Sequence, residues 1–238
     1  MKAKWKIVRL VLATVTAIAL FSFTNIRNAR RTVTKLDIKF TDGQPPFITY
    51  PMVNKLLIQN KGNVTDIAKE KLVLNTLETV LNTNQLIREA QVFMTVNGRL
   101  EARINQRKPI ARIQGPESYY LDADGKKMPL SPVFSARVPL ITGIVNNSTV
   151  GELYKLADYI ENDEFLKKNI IGIHSGVRDI SLKVRTYDFE IIIGSAEALE
   201  AKFRNFKAFY QKALKDQTLN NYKVVNLKFD NQVVCTKI

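Results

Sequence analysis

Seventeen consecutive residues, Leu10 to Ile26, carry no charge, with Lys2, Lys4, Lys6 and Arg9 ahead of them and Arg27, Arg30 and Arg31 behind. A helix through that run covers about 25 Å at 1.5 Å per residue, close to a hydrocarbon core of about 30 Å. Ile7 and Val8 extend it by a turn once the Arg9 stem snorkels to the headgroups. The pattern predicts one membrane span over residues 7–26, preceded by a tail over 1–6. Ala17-Ile18-Ala19 also fits the small-residue pattern of a signal-peptide cleavage site. Phe21 and Phe23 continue the apolar run past that point and favour an uncleaved anchor. The larger cation count on the short side places the N-terminus in the cytoplasm and the long remainder outside.

Residues 1–31 hold seven cations and no acid, which is half of the net charge of +14. An apolar fraction of 45% is ample for a packed core. The single cysteine, Cys235, excludes an intrachain disulfide and a cysteine-rich zinc site. The single histidine, His174, leaves little for proton transfer near neutral pH.

Beyond the hydrophobic run the pattern shortens. Leu36, Ile38 and Phe40 alternate with Lys35, Asp37 and Lys39, the period of a half-buried strand. Residues 41–46 break it. Thr49 ahead of Pro51 opens a short helix with Val53, Leu56 and Leu57 on one face. A loop is expected around Lys61-Gly62-Asn63, and Asn75 is placed to cap a second helix carrying Leu77, Val80 and Leu81. Residues 90–96 and 99–106 flank Asn97-Gly98, a pair suited to a type I′ hairpin turn with positive φ at both centres. This order, strand, helix, helix, strand, strand, predicts a small α+β module.

A second region starts at Pro109. Strands are expected over 110–114 and 119–121, with a hairpin turn at Asp122-Ala123-Asp124-Gly125 after the second. Pro129, Pro132 and Pro139 make residues 128–143 extended and ill suited to a central strand. A helix is expected over 149–162, and strands over 170–174, 179–185 and 187–193. Ser195 is placed to cap the most amphipathic helix, 196–215, whose stripe is Leu199, Phe203, Phe206, Tyr210 and Leu214. Strands over 223–229 and 232–237 meet at Asp230-Asn231.

Catalytic signatures are missing: the chain has no G-x-S-x-G, S-x-x-K, H-E-x-x-H or G-x-x-x-x-G-K. An exported cell-wall enzyme would have to use His174 or Cys235, and that is the alternative reading. His174 stands at a strand end before Gly176, and Cys235 in an apolar strand, positions that suit structural roles. Asp122-x-Asp124-Gly125 begins like a calcium loop but lacks the twelfth-position glutamate, so it reads as a turn. Arg99, Arg103, Arg107, Lys108 and Arg112 are interrupted by Glu101 and have no aromatic residues between them for base stacking, which favours a solvated sheet face over nucleic-acid binding.

Several stretches, taken in order, resemble the FtsQ/DivIB family of bacterial cell-division proteins. Ile104-Asn105-Gln106-Arg107-Lys108-Pro109-Ile110-Ala111 is similar to that family's I-x-E/Q-R-x-P-x-A segment, and Tyr120-Leu121-Asp122-Ala123-Asp124-Gly125 to its L-V/L-D-x-x-G turn. Val138-Pro139-Leu140-Ile141-Thr142-Gly143 resembles its L-P-x-L-x-G stretch, and residues 182–194 followed by Lys202-Phe203-Arg204-Asn205-Phe206 its two strands and R/K-x-x-R/K-F helix. The resemblance implies an α+β chain: a transmembrane helix, a POTRA-like βααββ domain over 32–108, and a mixed α/β domain with a largely antiparallel sheet, the β domain, over 109–238. It also implies a divisome scaffold without catalytic activity, cofactor or metal. In the family the β domain binds the bitopic partners FtsB and FtsL through its terminal strand and the preceding turn. These correspond here to Lys228, Phe229, Asn231, Gln232, Val234 and Lys237, with Arg185 on an earlier strand. Gln232 stands where the family commonly has a turn glycine, and Lys237 where an aromatic is known. A last strand with an open edge can itself accept a strand from another chain. Proline at Val234 is then expected to remove a ladder donor and abolish partner capture while leaving the earlier module folded.

Overall fold

The structure, a computed structural model, describes residues 2–29, 35–43, 45–58, 74–95, 97–230 and 232–238. Within the first helix, side chains are described at 5 and over 9–24. The expected loop at Lys61-Gly62-Asn63 and the turn residue Asn231 lie outside the described residues. The chain divides into two units, Met1–Gln106 and Arg107–Ile238.

Unit 1 starts with the helix α1 (Lys2–Ala29), along which Leu10, Leu12, Ile18, Phe21 and Phe23 are exposed. Among the described residues no helix is long and apolar enough to cross a membrane. The rest of the unit is built from β1 (Lys35–Phe40), α2 (Tyr50–Ile58), α3 (Leu74–Asn82), β2 (Ile87–Met94) and β3 (Arg99–Gln106), with the strands in the order β1-β3-β2. The predicted module is therefore present. Val53, Leu57 and Leu81 from the helices meet Ala90, Val92, Leu100, Ala102 and Ile104 from the sheet, all buried. Asn75 falls inside α3 rather than capping it.

The hairpin turn differs from expectation. Gly98 takes φ +78°, Thr95 N–H donates to Arg99 O at 2.9 Å, and Thr95 O accepts from Gly98 N–H at 3.0 Å, so Thr95 rather than residue 96 pairs with Arg99. The connection is thus a three-residue loop with glycine in its left-handed position rather than a two-residue type I′ turn. Gln106, only 2% exposed, closes the unit: its Oε1 accepts from the N–H groups of Phe47 (2.8 Å) and Ile48 (3.2 Å), and its own N–H donates to Asp42. Glu101 lies on the face expected to be wet, yet Lys39 (3.2 Å) and Arg103 (3.0 Å) cover it to 9% exposure.

Unit 2 holds a nine-stranded sheet, in the order β12-β11-β10-β9-β8-β7-β4-β5-β6. Its strands are β4 (Pro109–Ile113), β5 (Tyr119–Asp122), β6 (Lys127–Met128), β7 (Leu140–Gly143), β8 (Ile170–Ser175), β9 (Ile180–Val184), β10 (Glu190–Gly194), β11 (Tyr222–Asn226) and β12 (Val234–Lys237). Most neighbours are antiparallel, while β4/β7, β7/β8 and β10/β11 are parallel. The helices are α4 (Val150–Glu161), α5 (Glu164–Asn169) and α6 (Leu199–Lys215). Leu153, Leu156 and Ile160 of α4 and Phe203 and Phe206 of α6 are each at most 1% exposed in one core with Ile141, Ile173, Leu182, Ile191 and Val225. Burying each such phenylalanine contributes roughly 1.5–3 kcal/mol.

Three local expectations are corrected. The proline-rich stretch does supply an interior strand, β7, because Pro139 stops one residue short of it and contributes only its carbonyl, which accepts from Arg112 N–H at 2.9 Å. Ser195 does not cap α6. That helix begins at Leu199 after Ala198 at φ +49°, and its approach loop is held by Glu152 accepting from Ala196 N–H (2.6 Å) and by Lys202 Nζ donating to the carbonyls of Ile193 (2.8 Å) and Ser195 (2.9 Å). Near its end the stripe turns to Ala213, leaving Leu214 51% exposed. The short α5, capped by Asp163 accepting from Leu166 N–H at 3.0 Å, has no counterpart among the helices expected from periodicity.

Candidate functional site

The turn at residues 122–125 is a hairpin turn, and its carboxylate is fully used. Asp122, 1% exposed, accepts from Arg107 (2.7 Å) and from the N–H groups of Asp124 (3.0 Å) and Lys126 (2.6 Å). Gly125 sits at φ +73°, as the turn requires. Two more of the basic residues are likewise engaged: Lys108 pairs with Glu161 at 2.7 Å, and the Arg103 guanidinium lies 4.7 Å from the Phe93 ring centre.

The two residues on which the catalytic alternative could draw act separately, since they are far apart. His174 lies on β8 and Cys235 on β12, four strand spacings distant, or about 19 Å. His174 is exposed on the open face of the sheet, where among the described residues its Nδ1 meets Thr142 Oγ1 at 3.0 Å. Burial pushes the Cys235 thiol pKa up, the opposite of what a nucleophilic thiolate requires.

The residues aligned to the family's partner surface fall into two groups. Lys228, Phe229, Gln232, Val234 and Lys237 lie on β12 or in the connection leading to it, and all are exposed. Lys228 donates to Asp179 at 2.9 Å, which ties this connection to the β8–β9 turn at the same end of the sheet. Phe229 and Val234 are 47% and 42% exposed, large apolar side chains without cover. Arg185 stands apart. It follows β9, three strand spacings or about 14 Å from β12, and its Nε donates to the Lys168 carbonyl at 2.9 Å.

Among the described residues β12 closes the sheet at one end and pairs on one side only, with β11. Its polarity follows from two hydrogen bonds. Ile238 N–H donates to Asn221 O at 3.0 Å, and Leu227 N–H turns away from β12 to Ile192 O at 2.8 Å. Backbone groups alternate sides along a strand. Val234 and Thr236 therefore direct their N–H and C=O toward β11, and Cys235 and Lys237 direct theirs to the open side. The expected effect of proline at Val234 is thus reassigned: that donor belongs to the ladder with β11, and the outward donors are those of Cys235 and Lys237. Beneath the rim, Phe209 and Tyr222 pack edge to face at 5.2 Å, half-buried with Val233 and Cys235 at the end of the core.

Sequence reasoning missed Asp179 and the outward Cys235 backbone. Neither carries a local signal, because one depends on two turns meeting at a sheet end and the other on the parity of a ladder.

No curated protein matches the chain closely enough to count as a relative. A family model described as FtsQ/DivIB, C-terminal related, matches residues 108–236, more than half of the chain and nearly all of unit 2. The chain therefore belongs to the FtsQ/DivIB, C-terminal related family.

Proposed function

We propose that this chain is a membrane-anchored scaffold of the bacterial division septum that breaks no covalent bonds and captures an extended segment of an FtsB-like or FtsL-like bitopic protein along β12. The coarser part rests on the family, one of division scaffolds without enzymatic activity. The observation that carries the finer part is the unpaired side of β12, with the outward N–H and C=O groups of Cys235 and Lys237 beside exposed Val234 and Phe229. An edge of this kind accepts an added strand through its backbone and reads side chains through the flanking pockets. Of the aligned residues, Lys228, Phe229, Asn231, Gln232, Val234 and Lys237 are assigned to the contact, and Arg185 to an outlying one.

Anchoring is proposed over residues 7–26, within a domain order of tail, span, POTRA-like domain over 32–108 and β domain over 109–238. The support is physical. The uncharged run Leu10 to Ile26 exceeds the stretch of α1 whose side chains are described, and Leu10, Val11, Leu12, Val15, Ile18, Leu20 and Phe21 are exposed around the whole helix circumference. A helix apolar on all sides suits lipid. Thr14 and Thr16 donate to the carbonyls of Leu10 (2.9 Å) and Leu12 (2.7 Å), so their hydroxyls need no water. The N-terminus is assigned to the cytoplasm and both later domains to the far side of the inner membrane.

The test is a photo-crosslinking residue at Thr236 in the full-length chain, in dividing cells, with His174→Ala as a separate variant. Capture of a small bitopic division protein at Thr236, together with normal division in the His174→Ala strain, supports the reading. Capture at Thr236 of no division protein, or loss of division on removing the imidazole alone, refutes it.

A further inference from the structure

The three-stranded sheet of unit 1 has two edges, and they are treated differently. On β2 the outward groups are those of Ala90 and Val92, and α3 occupies them: Asn82 accepts from Ala90 N–H (2.7 Å) and donates to Ala90 O (3.2 Å), while Glu78 accepts from Val92 N–H (3.0 Å). That edge is closed by side chains of the same unit. On β1, Thr41 N–H donates inward to Ile104 O at 3.0 Å and the register with β3 is unbroken, so Leu36, Ile38 and Phe40 aim their backbone groups outward. Their side chains are only half-buried, and Tyr50, packed edge to face on Phe40 at 5.0 Å, is 57% exposed.

We propose that β1 is the seam of a homodimer, in which two copies of this chain pair their β1 strands antiparallel with Ile38 facing Ile38 of the second copy. The sequence of β1 is complementary to itself in that register. Leu36 meets Phe40 of the second copy on the core side, and on the outer face Asp37 meets Lys39 twice, by symmetry. Hydrogen bonding requires the outward residues to face one another, so competing registers differ by steps of two residues. One step brings Asp37 onto Asp37 and Lys35 onto Lys39; the opposite step brings Lys39 onto Lys39. Like charges directly opposite are unfavourable. Of the registers that pair five residues of β1, only the centred one joins opposite charges; facing Lys35 with Asp37 takes a further step and leaves three residues paired. Asp37 and Lys39 lie 3.8 Å apart within one chain, with side chains 40% and 52% exposed, so that contact can be exchanged for the one across the seam. A foreign strand would need alternating acidic and apolar residues to fit the same rim; the second copy already carries the pattern. This seam is independent of the partner proposed for β12.

The test uses the full-length chain in detergent micelles with Cys235→Ser. Differently tagged D37C and K39C chains are mixed in equal amounts and mildly oxidised. In the centred register these two positions form a non-hydrogen-bonded pair with Cα atoms about 4.5 Å apart, within disulfide reach. The mixed D37C–K39C product is expected to exceed both symmetric products; no crosslink, or predominance of D37C–D37C, overturns the proposal. Sedimentation equilibrium supplies the second arm. Asp37→Lys is expected to weaken dimerisation about tenfold, and adding Lys39→Glu to restore it. The new lysine lies beside Glu101 in the register with β3, so that carboxylate keeps a cation. A wild-type chain that is monomeric throughout, or a dimer indifferent to Asp37→Lys, overturns the proposal.

Discussion

Replacing Lys237 with proline removes one backbone donor from the open side of β12 and none from the fold. Proline is tolerated on an edge strand when its missing N–H faces outward, and Thr236 before it is already extended, as the residue preceding proline prefers. Lys237 is exposed, so the loss in unfolding free energy is expected to stay within about 1 kcal/mol. An incoming strand, by contrast, finds a carbonyl of its own left without a donor and buried at the seam, a cost of about 1–3 kcal/mol. Binding is then weaker by about 5- to 150-fold. Val234→Pro gives the opposite profile, because its N–H belongs to the ladder opposite Asn226: stability falls by about 1–3 kcal/mol as β12 loosens. The assay measures both quantities for both variants, partner affinity by calorimetry on the full-length chain and stability by urea unfolding. Unchanged affinity in Lys237→Pro, or a fold more damaged by Lys237→Pro than by Val234→Pro, would refute the parity assigned to the strand.

Three further outcomes rest on the geometry. Asp122→Ala leaves the guanidinium of Arg107, 15% exposed, without its carboxylate and two turn N–H groups without an acceptor, so urea unfolding should report a loss of about 3–5 kcal/mol; a loss below about 1 kcal/mol contradicts the role given to Asp122. Asn82→Ala strips both partners from Ala90, and a loss of about 1–3 kcal/mol is expected together with concentration-dependent aggregation through the opened β2 edge, read by light scattering. For Asp163, burial raises the carboxyl pKa, but the Lys207 ammonium and the N–H groups of Leu166 and Phe165 outweigh it and hold the net value below the ordinary range. A depressed folded-state value stabilises above the unfolded value of about 4, and that stability is lost as pH falls through the folded value. Lys207→Met should therefore flatten the acid limb of the stability profile below about pH 4, and an unchanged limb would count against the pairing.

What was legible in the sequence was whatever a short window contains. Alternation at residues 35–40, the helical stripe at Leu153, Leu156, Ala157 and Ile160, and the turn at Asp122 were visible because period and turn chemistry are local. The failures have specific causes. Asn97-Gly98 marked the hairpin correctly but not its turn type, since loop length depends on the register that β2 and β3 adopt. Pro139 misled because one residue decides whether a proline interrupts a strand or merely precedes it. Ser195 lost its capping role to Lys202, from the first turn of the helix itself, and to Glu152, which lies far along the chain from the loop it holds. At the candidate site, sequence similarity pointed to the terminal strand but could not say which N–H groups face outward. It also aligned Arg185 with residues that the sheet order keeps three strands away.

Site-resolved amide hydrogen exchange on β12, with and without the bitopic partner, tests the edge-capture mechanism most directly. In the free chain Val234 and Thr236 should be protected by β11 while Cys235 and Lys237 exchange fast, and the partner should slow Cys235 and Lys237 selectively. A bound partner that leaves those two amides as fast as before, or protects amides elsewhere in unit 2 instead, would contradict it.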